Sequence, residues 1–388
     1  MMHDLPCPDP GSSTCSHLES AADVAVSASG RNAFRNLAGL LMLLFSFGIN
    51  LPARAYSTND VGTIFSAYNS AFYFQNGTNG YFKNSQTDGS AAYFWTQAET
   101  IECVIDAYEW TSNSACKSMI TNLLNGFISN NGSSWTYNMY NDDIMWAVLA
   151  FARGGVDTGM TNYCNIAKAN FDACYARAYD STYGGGLWWT TANNYKNAAV
   201  NGPASIAANL MFRIYGDPAY LAKSSSIYNW EKTTLFSSIG SIADGYNSSG
   251  VVGGPTTYNQ GTFIGAANLL GLTNDAALAA NFTMMNMTSG GILPQYGIAG
   301  NNSGFNAIFL RWLTRFMKDQ NLQAIYEPWL QTNAVAAWNI RRADNLSWCQ
   351  WLQATPPGTN FYSWDCIASL EAMFAADPTQ TVPPLPVP

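Results

Sequence analysis

Two adjacent aspartates, Asp142 and Asp143, are the residues of this chain best suited to acid–base chemistry. The only two histidines, His3 and His17, lie in an N-terminal segment with the features of a cleavable leader. We therefore exclude histidine triads, histidine general bases and histidine-bound metal sites from the mature chain. Proton transfer near neutral pH then depends mainly on carboxyl groups with shifted pKa values. A carboxylate pair among many aromatic residues indicates glycoside chemistry.

The two aspartates are expected to differ in protonation. Both stand in the first turn of a helix that we predict from Asp142 to about Arg153, where the helix dipole favours an ionised carboxylate. The neighbouring negative charge makes the second proton harder to lose. One residue can therefore be an ionised nucleophile while the other keeps its proton as an acid. The alternative is a helix start that carries acidic residues only because they interact well with the dipole.

The composition narrows the possible partners. Charged residues make up only 11% of the 388 residues, so the polarity of the chain comes mostly from Asn, Ser, Thr, Gly and Tyr. This mixture is typical of secreted proteins that bind neutral polymers. The formal net charge is -8, and no basic stripe is present to offset phosphate. This balance argues against nucleic acid as a partner.

The N-terminal 55 residues have the pattern of a secretory signal. Arg31 and Arg35 precede an apolar run at 37–45, and residues 52–55 supply the small residues of an Ala-x-Ala cleavage site. A membrane anchor is the alternative, but the run is shorter than the roughly 20 apolar residues of a span. We predict a leader over 1–55, one domain over 56–377 and a proline-rich tail over 378–388. The protein would be secreted, with no stable membrane insertion.

Six cysteines remain after removal of the leader, and an oxidising compartment would favour disulfides. Six cysteines allow 15 pairings, and the simplest joins 103 to 116, 164 to 174 and 349 to 366. Free buried thiols are the alternative. No cysteine spacing indicates a zinc site, and we predict neither a metal nor a cofactor.

Apolar residues at helical spacing predict twelve helices. Short links follow the even helices, and long links rich in Gly and aromatic residues precede them. This alternation predicts an all-α fold, an (α/α)6 barrel of six helical hairpins, with short β-hairpins or loops at the active-site end. The alternative is an irregular all-α domain. The predicted helices span about 61–72, 95–108, 116–127, 142–153, 161–176, 201–215, 218–230, 258–270, 274–285, 305–318, 322–340 and 362–375.

The long links and the starts of the even helices hold the candidate substrate-binding residues. Trp and Tyr rings stack on sugars, and amides bind hydroxyls. Each Trp could instead pack in the core, Asn259 and Gln260 could cap a helix, and Asp244 could be a turn residue. Asn201 is also the expected N-cap of the sixth helix. The candidates are Trp95, Gln97, Trp146, Trp188, Trp189, Asn201, Asp244, Tyr258, Asn259 and Gln260.

Several motifs, in order and spacing, resemble glycoside hydrolase family 76, the endo-α-1,6-mannanases. They are 140–143 with Trp146, 185–189, 196–203, 215–218 with Trp230, 257–261 and 305–311. The resemblance covers most of the mature chain and implies an (α/α)6 barrel and a retaining mechanism on α-1,6-mannan. It also implies that Asp142 is the nucleophile and Asp143 the general acid/base. Trp188, Trp189, Tyr258 and Gln260 fall on family positions near the cleft.

Three functions remain open at this point. The first is a hydrolase that acts as a monomer on α-mannan polysaccharide or manno-oligosaccharides. The second is a mannan transglycosidase of cell-wall assembly, like fungal relatives that often carry a C-terminal lipid-anchor signal. The chain ends in the proline-rich run 382–388 without a hydrophobic tail, which disfavours an anchored enzyme. The third is a glycan-binding protein without catalytic activity.

Overall fold

The computed structural model describes residues 56–298 and 300–376, which form twelve α-helices. The predicted leader and tail lie outside these residues. No helix of the described part has the length and apolar character needed to cross a membrane. In chain order the helices are α1 (Thr58–Phe72), α2 (Phe94–Thr111), α3 (Ser114–Asn131), α4 (Asn141–Thr158), α5 (Thr161–Ala178), α6 (Ala198–Tyr215), α7 (Pro218–Thr234), α8 (Thr257–Leu269), α9 (Thr273–Asn286), α10 (Phe305–Asp319), α11 (Gln323–Asn339) and α12 (Ser363–Ala375).

The even-numbered helices form a closed inner ring. Each contacts the next even helix along the chain, and α12 contacts α2, while the odd helices pack around the outside. Burial follows this division: every residue of α12 is buried, whereas α1 buries only Val61, Ile64, Tyr68 and Phe72. The predicted (α/α)6 barrel is confirmed.

Small residues allow the inner helices to approach one another. Ala204, Ala207 and Ala208 on α6 are fully buried. At Gly261 on α8, an added Cβ would lie only 2.5 Å from the Cα of Phe309 on α10. A larger side chain at this position would push two neighbouring helices of the ring apart.

Short strands fill the long links before the inner helices. β1 (Tyr73–Asn76) and β2 (Asn79–Phe82) form an antiparallel hairpin before α2. β3 (Lys196–Asn197) pairs with β4 (Gly245–Asn247), which pairs with β5 (Gly250–Val252), so the links before α6 and α8 share one sheet. These pairings hold the loops together at one end of the barrel.

The start of α6 corrects one sequence prediction. The N-cap is Asn197, whose Oδ1 accepts a hydrogen bond from the N–H of Val200 at 3.3 Å, and the helix begins at Ala198. Asn201 is therefore a helical residue and not the cap. The apolar residues between these two asparagines could continue either a loop or a helix, and the pairing of β3 with β4 makes Asn197 the boundary.

The predicted disulfides are wrong, because all six cysteines in the described part are buried free thiols. Cys164 and Cys174 lie on the same helix, α5, where ten residues span about 15 Å, roughly twice the Cα separation that a disulfide permits. Three thiols donate hydrogen bonds instead: Cys174 to Oδ1 of Asn141 at 3.3 Å, Cys349 to the carbonyl of Tyr296 at 3.2 Å and Cys164 to the carbonyl of Ala152 at 4.0 Å.

Ion pairs link four of the inner helices below the loop-rich end. Arg311 of α10 donates to Glu99 at 2.7 Å and to Glu102 at 2.8 Å, both on α2. We call the whole set the core charge cluster. Its members are Glu99, Glu102, Asp106, Arg153, Arg311 and Glu371.

Candidate active site

A cleft of about 620 Å³ opens at the loop-rich end of the barrel. Seven of the sequence candidates line it: Trp95, Asp142, Asp143, Trp146, Trp189, Asp244 and Tyr258. Most of its walls come from the first turns of inner helices and the links before them. The remaining lining residues are Tyr93, Phe94, Tyr140, Tyr195, Asn197, Ala199, Asn301, Phe305 and Ile308.

The carboxylate pair lies in the first turn of α4, as the sequence predicts. Oδ2 of Asp142 accepts the indole N–H of Trp189 at 2.8 Å, and Oδ1 accepts the backbone N–H of Asp143 at 3.0 Å. Oδ2 of Asp143 accepts an N–H from the side-chain amide of Asn138 at 3.0 Å. Each carboxylate therefore has a fixed donor on one side while both face the cleft.

Burial raises the pKa of both carboxyl groups. It raises the pKa of Asp142 to about 7, and the charge of Asp143 adds to this effect. It raises the pKa of Asp143 to about 6, against the lowering effect of the hydrogen bond from Asn138. Because the two groups interact, these values describe the pair. The pair therefore keeps a proton at a higher pH than free aspartates do, which allows an acid and a base to lie side by side.

Aromatic side chains form the walls of the cleft. Tyr258 packs against Phe305 with ring centroids 4.0 Å apart, and Tyr140 packs against Trp189 at 5.5 Å. The ring of Trp146, at the base of the cleft, has its centroid 6.4 Å from that of Tyr258. Flat apolar faces beside carboxylates suit the binding of pyranose rings.

Asp244 is a third carboxylate in the cleft. Its Oδ2 accepts the hydroxyl proton of Tyr195, and its Oδ1 accepts an N–H from Asn259 at 3.3 Å. Asn259 is itself completely buried and does not line the cleft. Its contribution is to orient Asp244, which remains available to ligand hydroxyls.

The side chains of three other candidates form hydrogen bonds with backbone groups and do not line the cleft. Gln97 donates to a backbone carbonyl at 2.6 Å, Gln260 accepts a backbone N–H at 2.7 Å, and Asn201 accepts another at 2.7 Å. All three are buried, because their amides satisfy loop groups that would otherwise lack partners. The structure thus places them in support of the loops and away from the substrate side.

Trp188 is also buried, in the wall behind Trp189. Its indole N–H donates to Asp180 at 2.8 Å, and the ammonium of Lys196 lies 4.6 Å from the centre of its ring. Lys196 is fully buried and also donates to Asp180 at 2.7 Å and to the carbonyls of Gly185 and Gly186. This ammonium fixes the glycine-rich loop that presents Trp189 to the cleft.

Two side chains that bond the cleft carboxylates were not among the sequence candidates. Tyr195 lines the cleft and binds Asp244, and Asn138 donates to Asp143. Tyr195 directly precedes the motif at 196–203, which was a usable signal. Asn138 is one of many asparagines in the loops, and nothing in the sequence distinguishes it from the others.

Comparison with known proteins gives a family match over most of the chain. The model of Glycosyl hydrolase family 76 matches residues 57–381. A sequence comparison with curated proteins gives no match.

Several solved structures share the fold. The α-1,6-mannanase GH76A of Salegentibacter sp. HEL1_6 is 25% identical, with a TM-score of 0.74 over 82% of this chain and 98% of that chain. An inactive variant of that enzyme, in which two adjacent aspartates are alanine, is bound to α-1,6-mannotetrose. It is also 25% identical, with a TM-score of 0.74 and coverage of 82% and 97%. The mannosidase Bt3792 of Bacteroides thetaiotaomicron VPI-5482 is 17% identical, with a TM-score of 0.70 and coverage of 82% and 96%.

Proposed function

Because the chain belongs to glycosyl hydrolase family 76, we propose that it is a secreted endo-α-1,6-mannanase that hydrolyses mannan backbones with retention of anomeric configuration. The observation that carries this proposal is the pair Asp142 and Asp143, which lines an aromatic cleft where burial raises the pKa of both carboxyl groups. Retaining glycosidases need such an unequal pair.

In the proposed mechanism Asp142 attacks the anomeric carbon while Asp143 protonates the departing glycosidic oxygen. A covalent glycosyl-enzyme forms, and the released chain leaves with the proton. Asp143, now ionised, takes a proton from water, which attacks the same carbon and frees Asp142. Two N–H groups donate to Asp142, and such hydrogen bonds stabilise the ionised form that a nucleophile needs. Burial nevertheless leaves the pKa of Asp142, at about 7, above that of Asp143, at about 6, so the mechanism requires the retained proton to lie on Asp143 when substrate is bound. The assignment of the two roles rests on the family resemblance.

The Salegentibacter enzyme supports this choice of residues. Its variant without two adjacent aspartates is inactive and is bound to α-1,6-mannotetrose. Asp142 and Asp143 are the only adjacent aspartates in this chain. The proposed substrate is therefore the α-1,6-linked mannose chain, and the leader predicted over 1–55 would carry the enzyme to it.

The test is digestion of linear α-1,6-mannan, with a β-linked mannan and a branched α-mannan as matched substrates. We expect internal cleavage of the linear polymer and no cleavage of the β-linked one. Proton NMR of the first products should show the α-anomer before mutarotation. An added manno-oligosaccharide acceptor separates hydrolysis from transfer, because transfer would yield extended products. Binding of linear mannan without cleavage would instead identify a glycan-binding protein.

A further inference from the structure

One arginine outside the cleft, Arg177, contacts the segment just before α4. It lies in the last turn of the outer helix α5, is half-buried and does not line the cleft. Its three donor nitrogens bind three oxygens of residues 136–141, a segment that ends at the first residue of α4. The planar guanidinium fork thereby fixes several points of this segment at once.

A first chain of hydrogen bonds, called the first branch, connects Arg177 to Asp143. Nη1 and Nη2 of Arg177 donate to the carbonyls of Thr136 at 2.8 Å and Asn138 at 2.6 Å. The side chain of Asn138 uses its Oδ1 to accept the N–H of Tyr140 at 2.9 Å. That contact turns Nδ2 of Asn138 toward Oδ2 of Asp143, where it donates at 3.0 Å.

The second branch leads to Asp142. Nε of Arg177 donates to Oδ1 of Asn141 at 2.7 Å. The side-chain amide of Asn141 donates to the carbonyl of Trp188 at 2.8 Å, and its backbone N–H donates to the carbonyl of Trp189 at 2.8 Å. Trp189 in turn donates its indole N–H to Asp142. Each carboxylate therefore receives a side-chain N–H from a residue that Arg177 holds, Asn138 directly and Trp189 through Asn141.

We propose that Arg177 is a positioning residue for the reaction, which holds Asn138 against Asp143 and Trp189 against Asp142. This inference rests on the proposed function for its kinetic consequences. Hydrogen bonds to an ionised carboxylate lower its pKa, so loosening both donors moves both ionisations of the pair to higher pH. A role limited to stability would leave those ionisations where they are.

The experiment compares R177M with R213M. Arg213 also lies in the last turn of a helix and donates to an asparagine side chain at 2.8 Å and to a backbone carbonyl, but its partners, Asn209 and Leu269, do not contact the catalytic pair. We expect R177M to lower kcat roughly ten- to hundredfold with little change in KM. The midpoints of the acid and alkaline limbs of its pH profile should both move to higher pH, by about half a pH unit or more. R213M should keep the wild-type kcat and limbs.

A double substitution tests the first branch. N138A should move only the ionisation of Asp143 to higher pH. Adding N138A to R177M should move that ionisation no further, because Arg177 acts on Asp143 through Asn138. R177K keeps the charge without the planar fork, so its kcat should lie between those of wild type and R177M. If R177M does not fold, the same measurements of kcat and of the pH profile are made on R177K.

A titration of aspartate carboxyl carbons by NMR gives the two ionisations without substrate. Unchanged ionisations in R177M, or additive shifts from R177M and N138A, would overturn the positioning role. Wild-type protein that titrates as described but leaves α-1,6-mannan intact would count against the proposed function only.

Discussion

The core charge cluster and the catalytic pair stand on the same ring of inner helices, but only the cluster contains arginine. Burial alone would raise the pKa of Asp106 in the cluster, yet Arg153 and Arg311 lower it to about 2. Asp142 and Asp143 form no ion pair among the described residues, and burial raises the pKa of each. The two guanidinium groups keep Asp106 ionised, although burial still raises the pKa of Glu99, Glu102 and Glu371 in the same cluster. The catalytic pair has no arginine partner among the described residues, so a proton remains available for transfer.

Asp106 and the catalytic pair have opposite effects on stability as pH changes. A carboxyl group with a lowered pKa, such as Asp106, stabilises the fold above its unfolded pKa and loses that contribution as pH falls toward 2. Groups with raised pKa values, such as Asp142, favour the fold most below the unfolded pKa and oppose it as pH rises toward 7. The catalytic pair thus lowers stability at the pH where it works.

The largest expected effect is on activity. We predict that D142N and D143N each lower kcat/KM on α-1,6-mannan by about a thousandfold or more, because each removes a reacting group. The matched control is D157N, since burial raises the pKa of Asp157 to about 6 outside the cleft. Initial-rate assays and circular dichroism check the prediction. Normal cleavage by both variants would show that the pair is not the reacting centre.

The next effect is on folding. R311M should lower the free energy of unfolding by about 3–5 kcal/mol, because it leaves several buried carboxylates without their cation. R315M is the control: Arg315 is 45% exposed and pairs with Asp319 one turn away, which contributes at most about 1 kcal/mol. Denaturant titrations measure both. Equal losses in the two variants would mean that the cluster does not need its arginine.

A smaller effect on activity is expected from W189F. The variant keeps an aromatic ring but removes the N–H that donates to Asp142. We expect kcat to fall about tenfold, since hydrogen bonds to charged groups contribute roughly 1.5–3 kcal/mol. The acid limb of the pH profile should also rise, because the ionised form of Asp142 loses a donor. An unchanged limb would show that this bond does not act on the nucleophile.

The wild-type enzyme should have a bell-shaped pH profile with a maximum between about 6 and 7. Activity needs one proton on the pair: below about 6 the second carboxyl group also becomes protonated, and above about 7 the acid loses its proton. Measurements of kcat/KM from pH 4 to pH 9 check this. A rate that stayed constant from pH 5 to pH 9 would contradict the shared proton.

The smallest effect concerns Glu231, a buried carboxyl group on the outer helix α7. Neither of its oxygens has a hydrogen-bond partner within residues 56–298 and 300–376, and burial raises its pKa well above the usual value. E231Q should raise the free energy of unfolding at pH 7 by about 1–2 kcal/mol, with no gain near pH 4, where the glutamate is protonated in both states. Activity should not change. A gain that is independent of pH would indicate a packing effect.

Sequence patterns predicted the barrel well because each helix is marked by apolar residues at helical spacing within its own segment. Twelve periodic segments and alternating link lengths were enough to give the ring and the end at which Asp142 and Asp143 lie. The start of α6 was missed because the sheet that fixes Asn197 pairs residues about 50 positions apart. The disulfide prediction relied on short spacing in sequence and ignored that Cys164 and Cys174 lie along one rigid helix.

The site was predicted less completely than the fold. Residue type and helix position brought Trp95, Trp146 and Tyr258 to the cleft correctly. The same reasoning cannot tell which way an amide points, and the amides of Gln97 and Gln260 satisfy buried backbone groups. Side chains that support a site through backbone contacts leave no pattern along the chain.

The six buried thiols provide internal probes of local opening. They lie on α2, α3, α5 and α12 and in the link before α12, so they sample separate parts of the barrel. An alkylating reagent reaches such a thiol only when its surroundings open. The rate at which each cysteine is labelled in the native state would therefore rank the four hairpins that carry them by their tendency to open, with no need to introduce a reporter group.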